Sequence, residues 1–167
     1  ALYPTWYKFD HMAPTYLEEA VYGLPELHRD AIAQTRLLAN PGCYPAASLL
    51  ALLPLMKAEK VETSGIVIDA KSGVSGAGRG GGGGFGYAEI NENLRAYSVV
   101  GHNHTAEIEE ELSSVAGRSV RVVFTPHLVP MTRGILATVY APLKVPLQET
   151  DALDLYEETY RQAPFVR

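Results

Sequence analysis

The chain has a single cysteine among its 167 residues, Cys43, which rules out an intrachain disulfide framework and fits a reducing compartment. Basic residues are also in short supply. Fourteen Lys and Arg against nineteen Asp and Glu leave a net charge of −5, and no Lys/Arg cluster is present. General nucleic-acid binding needs basic surface that displaces counterions from phosphate, so no nucleic-acid partner is expected. Long apolar runs are absent too. Ala46 to Met56 falls well short of the roughly 20 residues that cross a bilayer, and the first residues show no basic stretch followed by an apolar one. A protein without membrane partners, soluble and cytoplasmic, is the expectation. No internal repeat, no C-x-x-C pair and no Gly-Lys-Ser/Thr phosphate loop is found. With 47% hydrophobic residues, the chain suffices for one well-packed domain and is too short for two of ordinary size.

The lone cysteine sits in Leu38-Ala39-Asn40-Pro41-Gly42-Cys43-Tyr44-Pro45-Ala46-Ala47-Ser48-Leu49-Leu50. Asn40-Pro41-Gly42 breaks a short strand, Arg36 to Asn40, and Ala46 to Met56 reads as a helix with Leu49, Leu50, Leu52, Leu53 and Met56 as candidate buried positions. Cys43 is therefore expected in the first turn. Unpaired N–H groups and the positive end of the helix dipole favour a thiolate at such a place, and Pro45 suits a first turn because its missing N–H costs little there. A buried structural cysteine is the competing reading, and the Pro-Gly-Cys junction weighs against it.

Elsewhere, Thr15 to Val21 reads as a short helix ending before a turn at Gly23-Leu24-Pro25. Gly65 to Ala70, Arg95 to Val100, Val120 to Thr125 and Gly134 to Ala141 read as strands. Thr105 is expected to cap a helix with Ile108 and Leu112 inward and Glu107, Glu109, Glu110 and Glu111 toward solvent or the dipole, and Thr150 to Gln162 reads as the last helix. Strands and helices do not alternate strictly. A mixed or antiparallel sheet covered by helices is expected over a doubly wound fold.

A nucleophilic thiolate needs an acid/base partner, and His102 and His104 precede a helix at a junction comparable to that of Cys43. Residues two apart in a strand-like stretch share a face, so both imidazoles are expected at one site. A zinc site of His102, His104, His127 and Cys43 is the alternative, disfavoured because a thiolate held by metal attacks poorly. His11 and His28 read as surface residues. Glu89, Asn91 and Asn93 either orient an amide-bearing acidic substrate or lie in a solvated loop, and Arg133 either meets phosphate or makes a structural ion pair. Nine of the fifteen glycines fall between Gly73 and Gly86, five of them consecutive from Gly80 to Gly84. That run reads as a flexible loop, because glycine loses more backbone freedom on ordering than any other residue. Gly76-Ala77-Gly78-Arg79-Gly80-Gly81 matches G-x-G-x-x-G only trivially.

The segment Asn40-Pro41-Gly42-Cys43-Tyr44-Pro45-Ala46-Ala47 resembles the active-site signature of the N-acetyl-gamma-glutamyl-phosphate reductase family, within the semialdehyde dehydrogenase superfamily. The resemblance continues through Ala20 to Leu27, Ser72 to Arg79, Glu89 to Tyr97, Gly101 to Glu109 and Pro126 to Thr138. Two positions depart from the family pattern: Ala46 replaces a threonine, and Ala106 replaces the proline usual after His-x-His-x. The resemblance implies an α+β domain with a mixed, largely antiparallel sheet, like the C-terminal domain of glyceraldehyde-3-phosphate dehydrogenase. It implies NADPH-dependent reductive dephosphorylation of N-acetyl-gamma-glutamyl phosphate through a Cys43 thioester. It further implies NADP contacts near Ser72, Gly73, Ser75, Gly76 and Ala77, a substrate carboxylate at Arg95, and assembly as a homo-oligomer. Related semialdehyde dehydrogenases show a similar Arg…His spacing, which favours His102 over His104 as the acid/base. Family members are longer and carry a nucleotide-binding domain that this sequence lacks, so residues 1–167 are expected to be the catalytic, substrate-binding domain of that enzyme. Rival readings are a reductase of aspartyl or carrier-bound aminoadipyl phosphate, and a non-catalytic oligomerisation module.

Overall fold

The computed structural model describes residues 2–78 and 86–167, so the expected loop over Gly80 to Gly84, together with Arg79, lies outside the described residues. Seven helices are described: α1 (Tyr3–Tyr7), α2 (Thr15–Glu19), α3 (Pro25–Gln34), α4 (Cys43–Lys57), α5 (Tyr87–Ile90), α6 (His104–Ala116) and α7 (Glu149–Tyr160). The strands are β1 (Val21–Tyr22), β2 (Leu38–Ala39), β3 (Ile66–Ser72), β4 (Arg95–Ala96), β5 (Val122–Leu128) and β6 (Ile135–Tyr140). The four-stranded sheet has the order β4-β5-β3-β6. Its central pair β3·β5 is parallel and both outer ladders are antiparallel, so the sheet is mixed, as expected. β1 and β2 form a separate two-stranded parallel pair that delivers the chain to Cys43.

Strict alternation in β3 buries Ile66, Ile68, Ala70 and Ser72 on one face. On that face Leu49, Leu52, Leu53 and Met56 of α4, Ile108 and Leu112 of α6, and Phe124 of β5 complete the core. Burying each large aliphatic side chain contributes about 1.5–3 kcal/mol, so these residues dominate the folding energy. The other face carries Asp69, Lys71 and His127 among the exposed Val123, Leu136 and Tyr140. Lys71 Nζ lies 2.6 Å from Asp69 Oδ2, and His127 Nδ1 lies 3.1 Å from Asp69 Oδ1.

α4 is apolar on almost every side because it is packed by the sheet, α6 and α7 together. Pro54 lies inside it and has no N–H to give the carbonyl of Leu50 one turn earlier. The Tyr160 hydroxyl of α7 donates to that carbonyl at 2.6 Å, and Tyr156 donates to the neighbouring carbonyl of Ala51. The proline is thus tolerated because a second helix supplies the missing donor.

Several expected boundaries move. The helix expected from Ala46 begins at Cys43 itself, with Gly42 as its N-cap. The strand expected over Arg95 to Val100 shrinks to Arg95–Ala96, since Ser98 takes φ of 44° and Gly101 of 95°, which end the pairing. Thr105 is not the cap of α6, because the helix starts at His104 after Asn103. Where a turn was expected at Gly23-Leu24-Pro25, Pro25 instead opens the ten-residue α3 as a first-turn proline. His28, read as a surface residue, is partly buried with Nε2 3.0 Å from Glu111 Oε2.

Candidate active site

Three chain segments converge at the start of α4. The thiol of Cys43 is exposed at the first helical position. Of the neighbouring N–H groups, that of Gly42 is taken by Glu107 Oε1 at 2.8 Å, while Pro45 has none. Those of Cys43 and Tyr44 find no acceptor among the described residues. Two first-turn donors beside a thiol form an arrangement suited to stabilising a developing oxyanion.

The histidines reach this point by a turn rather than along a strand. Thr105 N–H donates to His102 carbonyl oxygen at 2.9 Å, and Ala106 N–H to Asn103 carbonyl oxygen at 3.2 Å, which folds the two imidazoles together with ring centroids 4.7 Å apart. The backbone N–H of His104 donates to His102 Nδ1 at 3.2 Å, so the neutral His102 ring carries its proton on Nε2. Burial, reinforced by the adjacent His104, pushes the His102 imidazole down to about 4. Burial also lowers His104, whose Nδ1 is buried without a hydrogen-bond partner. Both rings are therefore neutral at neutral pH.

Glu107 follows His104 by three residues, hence on the same helical face. Its Oε1 accepts from Gly42 N–H and from the Tyr22 hydroxyl at 2.6 Å, tying β1, the turn before Cys43 and α6 to one atom. Burial, with the Glu107 carboxylate next, raises the Tyr22 phenol far above its ordinary value, so it stays a donor. The sequence reading placed Glu107 toward solvent or the dipole. The one-turn spacing from His104 was the signal that marks it as part of the site.

Ser72, Gly73, Ser75 and Gly76 line a cavity of about 350 Å³ with Cys43, Ala47, Gly134 and Ile135. A Cβ on Gly73 would lie 2.8 Å from Arg133 N and 2.9 Å from Met131 O, so only glycine lets the 131–134 segment close on this loop. A Cβ on Gly76 would sit 3.1 Å from Ser72 Oγ. Ala77 ends the short 3-10 turn Val74–Ala77, exposed and outside the cavity lining. Arg95 pairs with Leu128 at the sheet edge and is exposed, as are Glu89, Asn91 and Asn93, and none of the four lines the cavity beside Cys43. Arg133 is exposed too. Among the described residues no three of His, Cys, Asp and Glu come together as a metal-ligand set, and His127 pairs with Asp69 on the far face of the sheet.

The arrangement of an exposed thiol at a helix start, a mixed sheet beneath it and paired imidazoles beside it coincides with a family match. The model of the semialdehyde dehydrogenase dimerisation domain matches residues 43–167, and the chain belongs to that family. Within it, the chain is similar to curated proteins named N-acetyl-gamma-glutamyl-phosphate reductase. That of Symbiobacterium thermophilum is 58% identical over 166 residues, covering 99% of this chain and 48% of the relative. That of Pelotomaculum thermopropionicum is 54% identical over 165 residues, with the same coverage of 99% and 48%. The chain spans about half the length of the curated relatives it matches. In fold it is similar to aspartate semialdehyde dehydrogenase II from Vibrio cholerae, solved complexed with ASA, at a TM-score of 0.66 and 21% identity over 86% of this chain and 50% of that one.

Proposed function

We propose that this chain is the catalytic domain of an enzyme that reduces N-acetyl-gamma-glutamyl phosphate to N-acetylglutamate 5-semialdehyde. The observation that carries the reading is Cys43, an exposed thiol at the first position of α4, with two half-buried neutral imidazoles gathered at the turn before α6 and His104 set against Gly42. The Cys43 thiolate attacks the acyl carbon, the bond to phosphate breaks, and a thioester forms on sulfur. Reduction of that thioester gives a thiohemiacetal, whose collapse returns the thiol and releases aldehyde. The free amides of Cys43 and Tyr44 hold the oxyanion in both steps.

His104 takes the thiol proton in this reading, because its Nε2 lies against Gly42 and its Nδ1 is unengaged. His102 serves as a hydrogen-bond donor to the developing oxyanion, since its Nδ1 is occupied by the His104 amide and its Nε2 bears hydrogen. This reverses the preference drawn from the Arg95 spacing. Arg95, Glu89, Asn91 and Asn93 remain proposed substrate contacts that the cavity beside Cys43 does not itself include.

NADPH fits as the reductant. The glycine-lined cavity beside Cys43, walled by Ala47 and Ile135, has the size and apolar character for a flat nicotinamide ring, with Ser72, Gly73, Ser75, Gly76 and Ala77 along its approach. When bound, the nicotinamide supplies hydride to the carbonyl carbon. The adenine and pyrophosphate ends belong to a nucleotide-binding domain outside these residues, a reading supported by the half-length coverage of the relatives. Homo-oligomer formation is supported by the family's description as a dimerisation domain, and the exposed Val123, Leu136 and Tyr140 on the open sheet face offer the apolar surface for it. A cytoplasmic location accords with the unpaired thiol. Cys43→Ser in the full-length enzyme tests the reading: acyl-phosphate-dependent NADPH oxidation is expected to vanish with the circular dichroism spectrum unchanged, and retained turnover would overturn it.

A further inference from the structure

We propose that the Arg133 guanidinium holds the phosphate of the acyl phosphate beside Cys43; this rests on the reading of Cys43 as the group that displaces that phosphate. Of the two roles open to Arg133, the structural ion pair is not formed. Among the described residues its exposed side chain makes neither an ion pair nor a hydrogen bond.

Its main chain, by contrast, is fixed. Gly73, Val74 and Ser75 donate their N–H groups to the carbonyl oxygens of Gly134, Met131 and Thr132, each at 3.0 Å. The chain on both sides of Arg133 is thereby tied to the loop that lines the cavity with Cys43, and Gly134, at φ of 98°, lines that cavity itself. The same three bonds consume N–H groups that a glycine-rich loop would otherwise offer to an anion, so recognition of phosphate at this rim falls to side chains.

The departing phosphate takes both electrons of the bond between its oxygen and the acyl carbon, and that charge needs a cation. Neither imidazole supplies one, since burial lowers both His102 and His104. Lys71 adjoins Ser72 in the chain, but its Nζ lies on the other face of the sheet, 2.6 Å from Asp69 Oδ2. A guanidinium is permanently charged, and its planar fork matches two phosphate oxygens. Exposure of the Arg133 side chain suits a group that must pass the product phosphate to solvent.

The test runs the full-length enzyme in reverse, where inorganic phosphate is a substrate in its own right: the thiohemiacetal gives hydride to NADP+, a phosphate oxygen attacks the resulting Cys43 thioester, and the thiolate leaves. In Arg133→Met the KM for phosphate is expected to rise about 10- to 100-fold, with the KM values for semialdehyde and NADP+ within about twofold. Arg133→Lys keeps the charge without the fork and is expected to fall between. Without any turnover, inorganic phosphate is expected to slow the alkylation of Cys43 by iodoacetamide in the unsubstituted enzyme and not in Arg133→Met. A rise confined to NADP+ would put the guanidinium on a cofactor phosphate, and a rise confined to the semialdehyde would put it on the substrate carboxylate. Either result, or an unchanged KM for phosphate, would overturn the proposal. Turnover retained in Cys43→Ser would instead defeat the Cys43 reading, while the KM for phosphate in Arg133→Met still reports on the anion contact.

Discussion

The His104 imidazole fills the space that a side chain at Gly42 would need, for a Cβ there would lie 2.5 Å from His104 Nε2. Gly42 has φ of −65° and ψ of 155°, a conformation open to any residue, so the requirement for glycine comes from this contact and not from the backbone. Gly42→Ala is expected to fold and to push the ring away by about 1 Å, a displacement that costs about 100-fold in rate at a reacting centre. Steady-state turnover of the full-length variant, compared with its melting temperature, checks this. A loss of stability without loss of turnover would contradict it.

Pro54 and Tyr160 make a second dependent pair. The Leu50 carbonyl has lost its helical donor to the proline and takes the Tyr160 hydroxyl instead. Tyr160→Phe leaves that carbonyl unsatisfied beside the core and is expected to lower stability by about 1–3 kcal/mol. In a Pro54→Ala background the helical N–H returns, and the same Tyr160→Phe change is expected to cost clearly less. Urea unfolding of the four variants measures the difference.

The site's chemistry was legible where the sequence breaks regular structure. Asn40-Pro41-Gly42 marked the junction, and the helix after it was expected within three residues of its start at Cys43. Val, Ile and Thr runs located β3 and β5 because alternate burial leaves a period of two, and β6 by its β-prone composition. What stayed hidden depends on tertiary contact. Composition does not separate Glu107 from its neighbours Glu109, Glu110 and Glu111, and its one-turn spacing from His104 places it near the site without naming Gly42 as its partner. The histidine turn was misread as strand because Val99 and Val100 are β-prone, whereas the positive φ of Ser98 and Gly101 decides the path. α3 was missed because Gly23-Leu24-Pro25 signals a turn as strongly as a helix start.

Half-buried imidazoles leave a signature in the pH dependence of stability. His102 is held near 4 in the folded chain against about 6.5 unfolded, so the unfolded chain binds more protons between those values. The contribution is fully present above about pH 6.5 and is lost as pH falls toward 4. Allowing for the partial exposure of the ring, the loss is expected at roughly 1–2 kcal/mol, with His104 adding in the same direction. Urea midpoints at pH 7.5 and pH 4.5, compared between the chain and His102→Gln, check it: the variant is expected to show the smaller drop.

Glu107 joins the two halves of the site, and its replacement separates charge from hydrogen bonding. Its Oε1 accepts from the Gly42 N–H and from the Tyr22 hydroxyl, so Glu107→Ala removes the acceptor for both and leaves the Gly42 donor in a half-buried place. Hydrogen bonds to charged groups are worth about 1.5–3 kcal/mol each, and part of that is recovered by water, so a loss of about 2–4 kcal/mol is expected. Glu107→Gln keeps a carbonyl oxygen able to accept both bonds and is expected to cost about 1 kcal/mol. The two variants also differ in what they do to the thiol. Without the carboxylate anchor the turn before Cys43 drifts from His104, so alkylation of Cys43 by iodoacetamide is expected to change at least severalfold in Glu107→Ala and little in Glu107→Gln. Equal alkylation rates in both variants, with the expected stability losses, would show that the anchor holds the fold without setting the geometry of the thiol.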